Sequence, residues 1–442
     1  MPCSYTVVRQ RGLDFMDTEK LLSRMAGFDP SLYAIVDREI ERQLDTLSLV
    51  PTANAASPFI SYLRGSALGN SFMDNHSMEM PSELESMATA RAAALYGADH
   101  AIVRLGSIGV ASRVVFFALA KSGDTIMSFN LRKSEFCTGE HMQYNFVNFC
   151  RNPQTKELDY DAIEAKAKEC KPKILIMSPV NYTHKVDYAR LSDIAHAVGA
   201  KLWADLGQNA GLIAAKQLPS PMPFADVVTF PADVLHGPQN GIILCHSDLA
   251  KTLDNALITS GHASVKMNVL AALAMVFHEA DTPEFRQYSE QVIANARALE
   301  KGLAESGIDI ITPNTQNHLV LPVLPEGTNG EDLKRRLENA NILVKPEEIK
   351  TEDPAIHYNV LRLSSIDPTT RSLKEEDMED IGRLLGAFLK SKQNEAAIME
   401  TRDKVMRIIG DIPLFSEEWL PESELSESGD NELLEMMARW TV

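Results

Sequence analysis

Gly199-Ala200-Lys201-Leu202-Trp203-Ala204-Asp205 is the stretch that decides the fold: a glycine ends one helix, and a short apolar run follows at once and stops at an acid. The same unit recurs on both sides of it. Ala101-Ile102-Val103 lies upstream, Thr125-Ile126-Met127 follows Lys121-Ser122-Gly123-Asp124, and Ile174-Leu175-Ile176-Met177 follows a lysine-rich helical stretch. Val227-Val228-Thr229-Phe230 and Gly241-Ile242-Ile243-Leu244 come after. Uninterrupted short apolar runs between helices are the signature of strands covered on both faces. They predict an α/β domain with a mostly parallel sheet over residues 82–280.

Outside that domain the texture differs. Residues 1–81 hold two helices within 17–47, broken near Gly27–Pro30, and an irregular segment from Pro51 to Pro81 rich in Ser, Asn, Gly and Met. A loop of that length in a compact protein is functional or is held by a partner subunit. Residues 282–308 read as one long helix able to bridge two domains. His318–Val323 and Val360–Leu363 read as strands, with helices at 330–340, 374–391 and 395–409, which together predict a smaller α+β domain over 281–415. From Ser416 the chain turns acidic, and 416–442 reads as a solvated tail.

Composition narrows the function. With 45% hydrophobic and 24% charged residues the chain suits a globular enzyme. A net charge of -18 repels phosphate backbones and acidic bilayers, so neither nucleic acid nor membrane is an expected partner. The start lacks an apolar segment behind basic residues, and no run is apolar enough to span a bilayer. Five scattered cysteines without a C-x-x-C pair suggest neither zinc nor a disulfide frame and fit a reducing cytoplasm.

Several blocks, in order, carry a resemblance over about residues 35–415. R-A-A-A-L-Y-G (Arg91–Gly97), F-F-A-L-A-K-S-G-D-T-I-M (Phe116–Met127) and A-D-L-G-Q-N-A-G-L-I-A-A (Ala204–Ala215) are the longest. F-A-D-V-V-T (Phe224–Thr229), N-H-L-V-L (Asn317–Leu321) and T-T-R-S-L-K-E-E-D-M (Thr369–Met378) complete the set. The chain resembles the serine hydroxymethyltransferase family, which implies a fold-type-I, aminotransferase-like architecture, pyridoxal phosphate as cofactor and a homodimer with shared sites.

That family's chemistry needs particular parts, and each can be sought here. The resemblance makes Asp205 the carboxylate that holds the pyridine nitrogen protonated; an aspartate capping the turn after a strand is the plain alternative. Arg362, inside an apolar strand, matches the family's clamp for a substrate carboxylate; a buried ion pair tying the small domain to the large one is its alternative. The family's H-S-G-S-Q-A-N phosphate cradle becomes Gly106-Ser107-Ile108-Gly109-Val110-Ala111-Ser112, where Ser107 and Gly109 retain backbone N–H groups and one hydroxyl for an anion, or form only a strand-to-helix turn. Phe136 takes the place of the ring-stacking histidine, and Gln208 that of a second histidine beside the ring.

The capturing lysine is missing. The family's T-T-T-H-K-T-L-R-G-P becomes Thr229-Phe230-Pro231-Ala232-Asp233-Val234-Leu235-His236-Gly237-Pro238, so Asp233 stands where the amine belongs, and no lysine lies between Lys216 and Lys251. A carboxylate cannot form an imine. The family's A-S-E-N loop, which carries its proton-shuttling glutamate, reads Pro51-Thr52-Ala53-Asn54; Thr52 remains as a substrate contact, and the acid is Ala53. Phe72 lacks the family's phenol, Gly261-His262-Ala263-Ser264 replaces the partner subunit's glycine-rich loop, and the folate-facing positions near Lys345-Pro346-Glu347 do not match. Lys133 is one surrogate amine. Asp233 and His236 acting as acid and base beside non-covalently held pyridoxal or pyridoxamine phosphate is another route, with Asp233 as a simple turn residue the alternative. Two readings stay open: a non-standard enzyme acting on an amino-acid-like carboxylate, and an inactive homologue serving as a ligand-binding or regulatory subunit.

Overall fold

The computed structural model describes residues 18–73, 79–129, 144–260 and 265–421. Two helices come first. α1 (Thr18–Phe28) ends just before Asp29, whose carboxylate accepts from the Leu32 amide and caps α2 (Pro30–Leu44), which begins on proline. No residue of α2 is buried, and Leu32, Ile35, Val36, Ile40 and Leu44 lie exposed along it at helical spacing.

Seven strands form the central sheet: β1 (His100–Leu105), β2 (Thr125–Phe129), β3 (Asn145–Phe149), β4 (Ile174–Met177), β5 (Lys201–Asp205), β6 (Val227–Pro231) and β7 (Gly241–Cys245). Their order across the sheet is β1-β7-β6-β5-β4-β2-β3, with β7 antiparallel to both neighbours and the other pairings parallel. Alternation along the strands explains why they read as continuous apolar runs. Ile174, Ile176, Trp203 and Val227 enter the core on one face, which also takes in α3 (Ile108–Leu119); Leu175, Met177, Leu202, Ala204 and Val228 enter the core on the other. Both faces are covered, so nearly every inward position is apolar. This is the α/β architecture expected from the sequence.

The long helix α4 (Pro283–Glu305) joins two cores. Phe285, Tyr288 and Val292 belong to the large-domain core, while Ala296, Leu299 and Leu303 belong to the second. The second core sits on a three-stranded antiparallel sheet, order β8-β10-β9, made of β8 (Leu319–Val320), β9 (Lys345–Lys350) and β10 (His357–Ser364). A short helix, α5 (Ile366–Thr370), follows β10 and faces the large domain.

Two expectations need correction, and one strand was missed. The segment from Pro51 is not wholly irregular: Ser57 accepts from the Ile60 amide and caps a helix over Pro58–Gly65, a Ser-Pro start whose signal is local. The solvated tail does not begin at Ser416. Trp419 is 9% exposed and donates its indole N–H to the Thr369 carbonyl, so an apolar anchor overrides the acidic residues around it. The edge strand β3 was not foreseen, because Asn145 and Asn148 break its apolar run and only Phe149 is buried.

Candidate active site

The carboxyl ends of β4, β5 and β6 gather the matching residues, as open α/β sheets do for ligands. Asp205 closes β5 and is 8% exposed. Its Oδ2 accepts from the Ser178 hydroxyl at 2.8 Å and its Oδ1 from the Thr229 hydroxyl at 3.1 Å. Thr229 lies in register with Asp205 on β6 and accepts in turn from the Trp203 indole N–H at 2.9 Å. A buried chain of donors thus fixes the carboxylate plane from beneath. Ser178 and Thr229 were not foreseen as site residues; only the pairing of β5 with β6 brings the second to Asp205.

Two turns lie against one another beyond the strands, Gly207–Asn209 after β5 and Ala232–Leu235 after β6. Each carries a buried oxygen without a hydrogen-bond partner, Oε1 of Gln208 and Oδ1 of Asp233. Burial pushes the Asp233 carboxyl above its ordinary value, against the backbone amides of its own turn. The turn closes tightly: a Cβ on Gly237 would stand 2.5 Å from the Ala232 carbonyl oxygen, so only glycine lets the chain turn back toward β7 there.

His236 is not brought together with the Asp233 side chain. It adopts a left-handed backbone (φ 64°) and turns into the core, 3% exposed, with ring centroids of Tyr288, Phe415 and Phe285 at 4.7, 5.1 and 5.8 Å. Burial pushes its pKa down to about 3, so the imidazole is neutral at physiological pH. Its Nε2 lies 3.3 Å from the Thr370 hydroxyl, which also donates to Asn54 Oδ1 at 2.8 Å.

Ser107 is the N-cap of α3, accepting from the Val110 amide at 3.3 Å. A Cβ on Gly109 would meet only the Ser107 hydroxyl, so the space over this first turn is open, and the amides of Ile108 and Gly109 precede the first intrahelical bonds. On its other side the turn is pressed home: a Cβ on Gly241 would lie 2.4 Å from the Ser107 carbonyl oxygen.

Arg362 on β10 is 3% exposed, and its Nη1 lies 3.5 Å from Oε2 of Glu347 on β9. The strands pair Arg362 with Lys345 and Val360 with Glu347, which makes Arg362 and Glu347 diagonal neighbours on one face. This ion pair lies within the small domain. Beside it, His318 is buried with Nδ1 at 3.0 Å from the Ser364 hydroxyl, and burial together with the Arg362 charge takes its pKa down to about 3. Thr52 is exposed and lines a different cavity of about 310 Å³, bounded also by Asn54, Asp367 and Arg371 and by neither Arg362 nor Asp205. Phe136 and Lys133 lie outside the described residues, as do Gly261–Ser264. No lysine is buried among the described residues.

A family model described as serine hydroxymethyltransferase matches residues 25–385. The chain belongs to the serine hydroxymethyltransferase family. It is 34% identical over 404 residues to a serine hydroxymethyltransferase of Methylobacillus flagellatus, covering 88% of this chain and 97% of that protein. One from Paracidovorax citrulli is 33% identical over 404 residues, with the same coverage of each chain. The serine hydroxymethyltransferase family is a fold-type-I, pyridoxal-phosphate-dependent transferase family whose members are typically oligomeric, and the mostly parallel sheet here is its large-domain sheet.

The residues present fit that cofactor in part. Asp205, doubly hydrogen-bonded at a strand end, suits a ring nitrogen. The open first turn of α3 suits an anion. The orphaned oxygens of Gln208 and Asp233 suit hydrogen-bond donors on a ligand. The turn after β6 carries a carboxyl group, that of Asp233, and no lysine. Among the described residues no helix is long and apolar enough to cross a membrane, and no acidic, His or Cys cluster could hold a metal ion.

Proposed function

We propose that this serine hydroxymethyltransferase-family protein is a non-standard enzyme acting on an amino-acid-like carboxylate, with pyridoxal or pyridoxamine phosphate held without a covalent link to the chain. The observation that carries the reading is Asp233, which the sequence match sets at the family's lysine position: a half-buried carboxyl with one oxygen lacking a partner among the described residues. When bound, the cofactor supplies an electron-withdrawing pyridinium ring. Asp205 holds the proton on the ring nitrogen, with Ser178 and Thr229 fixing its orientation. Ser107 and Gly109 offer the phosphate a helix start, and Gln208 fills a position beside the ring. Asp233, its proton affinity raised by burial, exchanges a proton with the ligand at Oδ1. His236 serves as a positioning residue, since its ring is enclosed and neutral.

The exposed apolar stripe of α2 supports a homodimer, because a helix with no buried residue needs a second surface. Free Cys150, Cys170 and Cys245 accord with a reducing, cytoplasmic setting. A second reading, an inactive ligand-binding or regulatory homologue, draws on the Arg362–Glu347 pair, which occupies the family's carboxylate clamp internally.

Absorbance titration with pyridoxal phosphate, followed by borohydride reduction and mass spectrometry, tests the proposal. Wild-type protein is expected to give a saturable band and no fixed label, and Asp233→Lys a label fixed at position 233. A label fixed on any wild-type lysine, Lys133 included, refutes non-covalent binding; the lack of any band favours the second reading.

A further inference from the structure

Three arginines are less than 5% exposed among the described residues: Arg151, Arg362 and Arg371. Two have evident partners. Arg371 donates to four backbone carbonyls, those of Leu44, Thr46, Ile412 and Pro413, and Arg362 faces Glu347. Arg151 is fully buried, and among the described residues no carboxylate forms an ion pair with it.

A guanidinium carries five N–H donors. On Arg151, Nη2 donates to the carbonyl oxygen and to the side-chain Oδ1 of Asn181. Nε and Nη1 have no partner at all, which leaves three N–H bonds without an acceptor. The rings of Phe129 and Tyr182 stand 5.9 and 5.3 Å from the guanidinium carbon, and they compensate only part of the charge. Burial brings the Arg151 pKa down to about 10, which still leaves it cationic at neutral pH. Glu352, whose amide bonds the Arg151 carbonyl, has its own carboxylate already engaged by Lys166 at 2.6 Å and by the Cys150 amide at 2.7 Å. A buried cation without a counter-charge, and with acceptors for only two of its five N–H bonds, is a costly arrangement.

Its location gives the arrangement a use. Arg151 lies just past the carboxyl end of β3, Phe129 ends β2, and Asn181 is three residues beyond Ser178, which holds Asp205. Arg151 therefore belongs to the same edge of the sheet as the cofactor residues. Above it the small domain closes the seam: Arg151 bridges to Thr351, and the Glu352 amide donates to the Arg151 carbonyl.

We propose that Arg151 is the receptor for a side-chain carboxylate of the ligand, so that the protein takes a dicarboxylic, aspartate-like molecule and not a neutral amino acid. This rests on the reading of the site as one for amino-acid-like carboxylates. A single cation with three open N–H bonds matches one carboxylate; a phosphate dianion would call for a second cation, and Lys166 is already paired. Entry requires the hairpin bearing Thr351 and Glu352 to lift.

Calorimetric titration of the full chain with L-aspartate, succinate and L-alanine tests this, with pyridoxal phosphate binding followed separately by absorbance. Wild-type protein is expected to bind L-aspartate at least about tenfold more tightly than L-alanine, and to bind succinate. Arg151→Met is expected to bring the two amino acids to equal affinity without lowering the melting temperature, because an uncompensated charge has been removed; Arg151→Lys retains part of the preference. A purely structural cation would lower stability in Arg151→Met and leave the aspartate-to-alanine ratio unchanged, which overturns the proposal. So does a wild-type protein that binds neither aspartate nor succinate, whatever its pyridoxal band. Succinate binding without a pyridoxal band sinks the cofactor reading alone.

Discussion

Replacing Glu279 by glutamine should stabilise the protein at alkaline pH and do little at acid pH. Glu279 is 7% exposed, and the Ser57 hydroxyl donates to its Oε1 at 2.8 Å. That one bond does not offset burial, which pushes the carboxyl up from 4.5 to about 7. The folded chain thus holds a proton that the unfolded chain releases. Stability from this group is complete below pH 4.5, falls by about 1.4 kcal/mol per pH unit as pH rises toward 7, and is flat beyond. The full difference, about 2.5 units, is worth about 3 kcal/mol. Glutamine keeps an acceptor for Ser57 and stays neutral, so Glu279→Gln should exceed wild type by about 3 kcal/mol at pH 8 and by under about 1 kcal/mol at pH 5. Asp367, pushed up to about 7 by burial against the pull of Arg371, adds a second falling slope in both proteins. Urea unfolding at pH 5, 6, 7 and 8 measures the difference. An advantage that is the same at pH 5 and pH 8, or a variant weaker than wild type at pH 8, would refute the argument.

Trp419→Ala should cost about 3 kcal/mol in urea unfolding, since it empties a buried site against Tyr288 and strips the Thr369 carbonyl of its indole donor; no change would return the segment after Ser416 to the solvated reading. Ile35→Asp, in the middle of the exposed stripe of α2, should reduce the mass measured by light scattering from dimer to monomer while leaving the circular dichroism spectrum intact. An unchanged mass would place the subunit interface elsewhere.

The large domain was legible because its strands are buried on both faces: Ile174–Met177 and Lys201–Asp205 have no polar side to confuse their period. The edge strand Asn145–Phe149 escaped for the opposite reason. Asp205 was legible as the last residue of such a strand, but its partners were not, since Ser178 and Thr229 meet it only through strand pairing. Arg362 could be read as buried from its apolar neighbours, whereas Glu347 became its partner through a diagonal register that no spacing announces. His236 was grouped with Asp233 on closeness in sequence, and its left-handed backbone leaves its ring enclosed by Tyr288, Phe415 and Phe285. Arg151 gave no signal at all, because an arginine after a strand ordinarily faces water.

Arg371 has a consequence for the order of assembly. Its Nη1 reaches the carbonyl of Thr46, 325 positions earlier, while Nε and Nη2 reach Pro413 and Ile412. Closing a ring of that size costs about 5 kcal/mol of chain entropy, which the two bonds to Leu44 and Thr46, at about 1.5–3 kcal/mol each from a charged donor, barely return. The knot can be tied only after both domains have already brought their ends near, so this guanidinium is a late fastener: it cannot guide the chain to its shape, and it holds that shape shut once reached.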